Sequence, residues 1–505
     1  MIKFNKICFV ITILIILCTS GFVAAVDNED IYITSISSEN ITTSDSDMLI
    51  VEESNIGLDA IDKSDLCNDL SNNRELLGID NSKDILGNSY EFEGSTFEQL
   101  QTKINELNPG DVLYIGNKSL ISTWEPWGYP NIINVNTPNI KISGGSISNP
   151  TATSTLDGNL AKIFSLNANN ITLTNLILTH SSSQINPAES VIITAPNCLI
   201  ENCTIKKSKG QNGGGISANS NANGTIINNC NFTENQGIWY GSGAAIKLEG
   251  PNSKITNCNF IENNAANGIV YLSGFNTLIE NCTFKKNTVE NAGAGIYVNT
   301  QDCIISNCSF ESNHAKNGGA IFVDQSGKHL IIKNSILYNN SAYNGGALFA
   351  DWNSNDMLIK NTLFNNNTAI YAGGALFIRS SNNLLDNCTF NYNNALQGGH
   401  NLDFGGGAIW AGFSIVNVTN SKFNNNTAPY GGALRGSFNL DNDTFINNTA
   451  TDGNGGGIDL TCSNDLGSVE IKMALSICSS WSYFFSFFSF SLIFFCVLCC
   501  VCEKI

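Results

Sequence analysis

Between residues 140 and 461 the apolar positions of this chain recur neither at helical spacing nor as the long alternating runs of an antiparallel sandwich. They fall in short stretches of three to five residues, three to a period, separated by Asn, Gly and Ser. Written from its Asn, the period reads NCTI at 202, NCNF at 229, NCNF at 257, NCTF at 281 and NCSF at 307. It continues as NSIL at 334, NTLF at 361, NCTF at 387, NSKF at 420 and NDTF at 442. The spacings are 27, 28, 24, 26, 27, 27, 26, 33 and 22 residues. Weaker copies lie at Asn175-Leu176-Ile177-Leu178 and from Ile140 to Ile147.

A period this short cannot hold a propeller blade, and helical repeats need 3.6-period runs that are missing. Three short strands joined by turns close one coil, and each coil hydrogen-bonds to the next at about 4.8 Å. The chain is therefore expected to be all-β: a right-handed parallel β-helix, or pectin-lyase-like solenoid, of roughly 50–60 Å. Ahead of it, Ser95 and Glu98 form a capping-box pattern, and Phe97, Leu100, Ile104 and Leu107 recur at helical spacing. The sequence predicts an N-terminal capping helix there, stopped by Asn108-Pro109-Gly110, with a first strand at 111–115. Such a helix covers the open end of a solenoid.

The columns follow from the alternation. An aliphatic residue such as Ile279, then Cys282 and Phe284, point inwards. The repeat Asn sits at the bend between strands, where Asn tolerates a left-handed backbone. Its ten copies are Asn202, Asn229, Asn257, Asn281, Asn307, Asn334, Asn361, Asn387, Asn420 and Asn442. Stacked in register, their amides are expected to bond along the axis as a structural ladder, not as a metal or substrate site. Three residues after the aromatic stands a second Asn, from Asn235 to Asn448, and paired glycines then open a further strand. These read GGAI at 318, GGAL at 345, GGAL at 373, GGAI at 406 and GGAL at 431.

Composition sharpens the ends of the array. Lys3 and Lys6, the apolar run Ile7 to Cys18, and Val23-Ala24-Ala25 read as an export signal over residues 1–25. Residues 26–90 are acidic and lack apolar periodicity; residues 27–90 hold fifteen Asp or Glu against three Lys or Arg. That stretch is expected to be a disordered leader, followed by a capping region at 91–139. The net charge of −18 argues against nucleic acid and anionic membrane surfaces as partners. Of seventeen cysteines, Cys203, Cys230, Cys258, Cys282, Cys308 and Cys388 share one column that elsewhere holds Ser335, Thr362, Ser421 and Asp443. A required disulfide would not tolerate those replacements, so buried free thiols are expected, with no metal and no cofactor. In residues 462–505 the repeat is lost, and the uncharged run 481–501 is long enough for one membrane span.

The two motifs FxxN and GGA[ILV], once per coil, resemble the repeats of chlamydial-type polymorphic membrane proteins and the adhesin-like surface proteins of methanogenic archaea. The resemblance covers about 320 of 505 residues, with eight FxxN and five GGA[IL] copies. It implies a secreted or surface-anchored adhesin without enzymatic activity. The large β-barrel translocator that ends polymorphic membrane proteins has no counterpart here, which leaves 481–501 as a candidate anchor or an aberrant end.

Chemistry is sought on the outward positions of the glycine-led strand. Tyr297, Phe322, Phe349, Phe377 and Trp410 form an outward aromatic column. Two residues on stand Glu249, Asn299, Asp324, Asp351 and Arg379. Rings beside carboxylates and amides suit sugars, since ring faces pack on pyranose C–H groups. Stacked exterior rings also simply stabilise parallel sheets. Asp324 and Asp351 on adjacent coils raise a second possibility, a polysaccharide lyase or hydrolase. A third is a structural spacer of the cell envelope, with N-x-[ST] sequons such as Asn40, Asn117, Asn223 and Asn417 open to glycosylation. Glycans or cell-surface proteins are the partners expected.

Overall fold

The computed structural model describes residues 87–123, 131–182, 189–397, 404–453, 455–466 and 469–476. All belong to one compact unit, Asn81–Ile505. The expected export signal, nearly all of the acidic leader and the 481–501 segment lie outside the described residues. Among the described residues no helix is long and apolar enough to cross a membrane.

The described chain is a parallel β-solenoid of about 13 turns with a single capping helix. One coil shows how sequence becomes structure. The glycine strand Ile321–Val323 turns into the aliphatic strand Ile331–Lys333, and Asn334 bends the chain into the phenylalanine strand Ile336–Tyr338. A corner strand, Ser341–Asn344, then leads through Gly345-Gly346 into the next glycine strand, Leu348–Ala350. Every strand pairs in parallel with its equivalent one coil on: Ile321 with Leu348, Ile331 with Leu358, Ile336 with Leu363 and Ser341 with Thr368. Strand pairing begins ahead of the sequence repeat, where Ser89–Glu91 pairs in parallel with Val112–Tyr114 and so precedes the expected first strand, and it continues to Val469–Ser476.

The helix spans Phe97–Asn105 and buries Phe97, Leu100 and Ile104. Its cap is Thr96, one residue later than the sequence pattern suggested. The Thr96 hydroxyl accepts from Gln99 N, and Gln99 Oε1 accepts from Ser95 N. Glu98 instead points sideways and accepts from the Thr123 hydroxyl.

Inside the coils, the phenylalanines stack face to face. Ring centroids are 5.0, 4.5 and 4.8 Å apart along Phe232, Phe260, Phe284 and Phe310. They are 4.8, 4.8 and 4.6 Å apart along Phe364, Phe390, Phe423 and Phe445. Leu337 fills the gap between the two runs and is fully buried. Each ring removed from water contributes about 2–3 kcal/mol.

The two Asn columns divide the work differently from the expectation. All ten repeat asparagines have left-handed backbone, with φ between 50° and 57°. That bend turns their side chains outwards, so all ten are exposed. Amide bonds join Asn202 to Asn229, Asn257 to Asn281, Asn334 to Asn361, Asn361 to Asn387 and Asn420 to Asn442. Elsewhere the column shifts its partner: Asn257 donates to Asn228 Oδ1, and Asn420 also donates to the Asp386 carboxylate. The buried ladder is the second column. Asn287 is 0% exposed and its amide is fully used. Its Oδ1 accepts from both N and Nδ2 of Asn263, while its Nδ2 donates to Phe260 O and to Asn313 Oδ1. The same pattern runs through Asn313, Asn340, Asn367, Asn393 and Asn426.

The cysteines are small interior donors. Eight cysteines, from Cys198 to Cys388, are free and buried. Within the column, Sγ of Cys230, Cys258 and Cys282 points at the carbonyl two residues back, at 3.2, 3.1 and 3.2 Å. Ser335, Thr362 and Ser421 make the same bond at 2.9 Å, which is why the column tolerates them. Burial pushes the Cys388 thiol up to about 12, so it stays protonated. Asp443 inverts the pattern: its carboxylate accepts from Ser421 N and Asp441 N. Burial raises its pKa from 3.8 to about 7.

Two outcomes are expected. Asn313→Ala removes the acceptor of Asn287 N and one of the two acceptors of Asn287 Nδ2, at about 1–3 kcal/mol for each unmet N–H. Asn307→Ala meets only the left-handed penalty of about 1–2 kcal/mol, and Asn307→Gly is tolerated. Urea unfolding of the three variants checks the order. For Asp443, the raised folded pKa means its contribution is full below pH 3.8 and is lost as pH rises through about 7. Asp443→Asn should therefore raise the melting temperature at pH 8 and flatten its dependence between pH 4 and 7, read by thermal melts across that range.

Candidate binding face

The glycine corner determines what the outward face looks like. Gly345 has φ 61°, and a Cβ there would lie 2.1 Å from Leu348 O. A Cβ on Gly346 would lie 2.1 Å from Gly374 O in the next coil. Without side chains at these two positions, the corner strand folds back beside the glycine strand and shelters its outward side chains.

The outward aromatics are in strict register: Tyr271, Tyr297, Phe322, Phe349, Phe377 and Trp410. Centroids are 4.9, 4.9, 5.2, 4.6 and 4.3 Å apart. Phe322, Phe349, Phe377 and Trp410 are buried, Phe377 to 1% exposure, in a second apolar cluster with Ala292 and Ala372. Tyr297 and Phe404 pack at its margin. At these separations each interior ring has a neighbour on both faces, so a pyranose cannot lie against Phe322, Phe349 or Phe377. The column is an exterior core.

The polar stripe is likewise engaged. Tyr297 Oη donates to Asp324 at 2.9 Å, and Asp324 also accepts from Gln325 N. Burial, then the Asp324 carboxylate, pushes the Tyr297 phenol well above its usual range, so the donor keeps its proton. Asn299 Nδ2 donates to Tyr271 Oη at 3.1 Å. Glu249 pairs with Lys247 at 2.7 Å. Arg379 lies 3.7 Å from Asp351 and sits over three rings, Phe349, Phe377 and Trp352, at 5.6, 5.1 and 5.6 Å. Asp351 Oδ1 and Arg379 Nε are buried yet make no hydrogen bond among the described residues. Asp324 and Asp351 thus face different partners and do not form a shared acid–base pair. No cluster of three or more His, Cys, Asp or Glu among the described residues is arranged to hold a metal.

What the strand alternation missed are the rings at the rims. Trp352, just beyond the glycine strand, is 40% exposed, and Tyr343 and Tyr371 on the corner strands are 41% and 36% exposed. Tyr343 and Tyr371 meet edge to face at 6.1 Å, and Tyr371 leads on to Phe404 at 6.1 Å. The signal was present beside the glycine strand, as a Trp after Asp351 and a Tyr two residues before the pairs that begin at Gly345 and Gly373.

Models of the right-handed β-helix region match residues 126–299, 244–410 and 284–472. The chain belongs to the right-handed β-helix family. No curated protein matches it. Among solved structures, this β-helix chain is similar to an alginate lyase, at 12% identity over 81% of this chain and 94% of that one, with a TM-score of 0.36. It is also similar to the catalytic domain of a GH87 α-1,3-glucanase, at 11% identity over 77% and 69%, with a TM-score of 0.42. A third is tailspike protein 3 of bacteriophage CBA120, at 10% identity over 83% and 63%, with a TM-score of 0.37. At this identity the likeness is one of fold alone.

If the column is an exterior core, Phe377→Ala should cost about 3–5 kcal/mol, as for any buried Phe. Trp352→Ala should cost under about 1 kcal/mol. Chemical denaturation of the two variants measures the difference.

Proposed function

We propose that this β-helix protein is exported and displayed at the cell surface, where it contacts glycans as an adhesin and not as a catalyst. The observation that carries the reading is the set of exposed rings, Trp352 on one rim and Tyr343 and Tyr371 on the other, flanking the Asp351–Arg379 pair. Exposed ring faces suit pyranose C–H surfaces, and a carboxylate beside a guanidinium accepts from and donates to sugar hydroxyls. The Arg379 and Asp351 side chains are 34% and 20% exposed, so the outer part of the pair is open to solvent at that point. The export pattern at residues 1–25, the 481–501 run as an anchor, and the resemblance to adhesin-like repeat proteins support display at the surface. Against a lyase or hydrolase stands the occupation of Asp324 by Tyr297 and of Asp351 by Arg379.

A glycan-array screen of the purified full chain, followed by titration of the best ligand, tests this. Trp352→Ala/Tyr371→Ala is expected to weaken binding about tenfold or more, taking about 1 kcal/mol per ring. Its melting temperature should stay near that of the parent. Unchanged affinity, or release of reducing or unsaturated sugar ends from the bound glycan, overturns the proposal.

A further inference from the structure

A second outward apolar column runs along the aliphatic strands. Leu199, Ile226, Leu278, Ile304, Ile331, Leu358 and Leu384 succeed one another in register, interrupted once by Lys254. Their inward neighbours, such as Ile279, Ile305 and Ile332, are fully buried, whereas the outward residues are only partly covered and Leu384 is 37% exposed. Among the described residues no corner strand folds over this side. Seven steps of about 4.8 Å make the stripe about 34 Å long. An apolar strip of that length, broken only at Lys254, marks an interaction site on an outer surface.

The neighbouring outward column identifies the partner. In coil order it reads Glu201, Asn228, Thr256, Glu280, Ser306, Lys333, Lys360, Asp386 and Thr419. Around Ser306 this order is self-complementary. We infer that two copies of this chain pack these faces together, antiparallel, about a two-fold axis lying along the Ile304–Ser306 strand. Such an axis sets each column against the same column of the partner in reversed order, as an isologous interface requires. Ile304 meets its own copy, Leu278 meets Ile331 and Ile226 meets Leu384, while Lys254 stands opposite Leu358 and lays its aliphatic stem against it.

On the charged side Glu280 meets Lys333, and this pair occurs twice. Thr256 meets Lys360, Asn228 meets Asp386 and Glu201 meets Thr419, so no like charges oppose. Lys333 is exposed and has no ion pair among the described residues, while the Glu280 carboxylate accepts only from the Ser306 hydroxyl among them. A parallel arrangement would set these charge columns on opposite sides of the contact and leave both charges unmatched. A strip about 34 Å by about 15 Å buries on the order of 1,000 Å² in total, the lower bound for a specific interface.

Sedimentation equilibrium of the full chain tests the inference by charge exchange. The parent is expected to dimerise with a Kd of about micromolar order. Lys333→Glu or Glu280→Lys alone sets like charges against each other twice and should weaken the dimer about tenfold or more. The double variant Glu280→Lys/Lys333→Glu should restore it, with all three keeping the parent's circular dichroism melt. Ile331→Asp should abolish dimerisation. A parent that stays monomeric overturns the proposal, whether the stripe is bare or covered by residues 26–86 of the same chain. Single variants that dimerise like the parent, or a double variant that is not restored, overturn the antiparallel register.

Discussion

The buried asparagine ladder is the constraint on which the rest of this solenoid depends. A parallel β-helix must turn at every corner, and each turn takes backbone groups out of the sheet ladders inside an apolar interior. An unpaired buried amide costs about 1–3 kcal/mol, so a dozen unanswered corners would exceed the stability of the fold. Asn is suited to the task because its amide has two donors and an acceptor with two lone pairs. Asn287 uses all four towards the coils on either side. The ladder therefore fixes register as well as satisfying the corner. A coil displaced by one residue would set its Asn against a residue such as Lys286 or Thr288, which cannot return the same four bonds.

Register, once fixed, dictates the interior. Equivalent residues stack at the coil spacing, and phenylalanines placed one above another have little choice but to lie face to face, as Phe364, Phe390 and Phe423 do within 2° to 4° of parallel. The same stacking explains the thiols. A small donor at the bend reaches the carbonyl two residues back, whether it is Cys282, Ser335 or Thr362. Asp443 accepts where the others donate, and its raised pKa follows from occupying a place shaped for a neutral hydroxyl or thiol.

The period, the inward columns and the outward direction of the aromatics were legible because they follow from spacing alone, whereas the corner strand, a fourth in coils such as 321–344, was not expected. Two further things were not legible. Both Asn columns recur once per coil, and spacing does not say which faces the interior. The answer lies in backbone conformation: Asn281 itself adopts φ 54° and is turned out, whereas the residue before Asn287, Lys286, takes the left-handed place and lets Asn287 point in. Nor does alternation reveal cover. Phe349 and Ile331 are both outward strand residues, yet Phe349 is sheltered because Gly345 and Gly346 allow the adjoining corner to close against it.

That difference between two outward apolar columns locates function. The aromatic column has recruited its own cover: rings above and below, alanines at one side and Arg379 laid across Phe349 and Phe377. What it offers a partner is its rim, where Trp352, Tyr343 and Tyr371 are held on a rigid support but contribute little to it. The aliphatic column has no such cover, and nothing in the economy of the coil asks for leucine or isoleucine there, since polar residues fill the equivalent places at Thr172 and Asn417 without breaking the ladder. Seven aliphatic residues at positions that folding leaves unconstrained, beside a charge order that matches its own reversal, are accounted for by a surface that meets a second copy of itself.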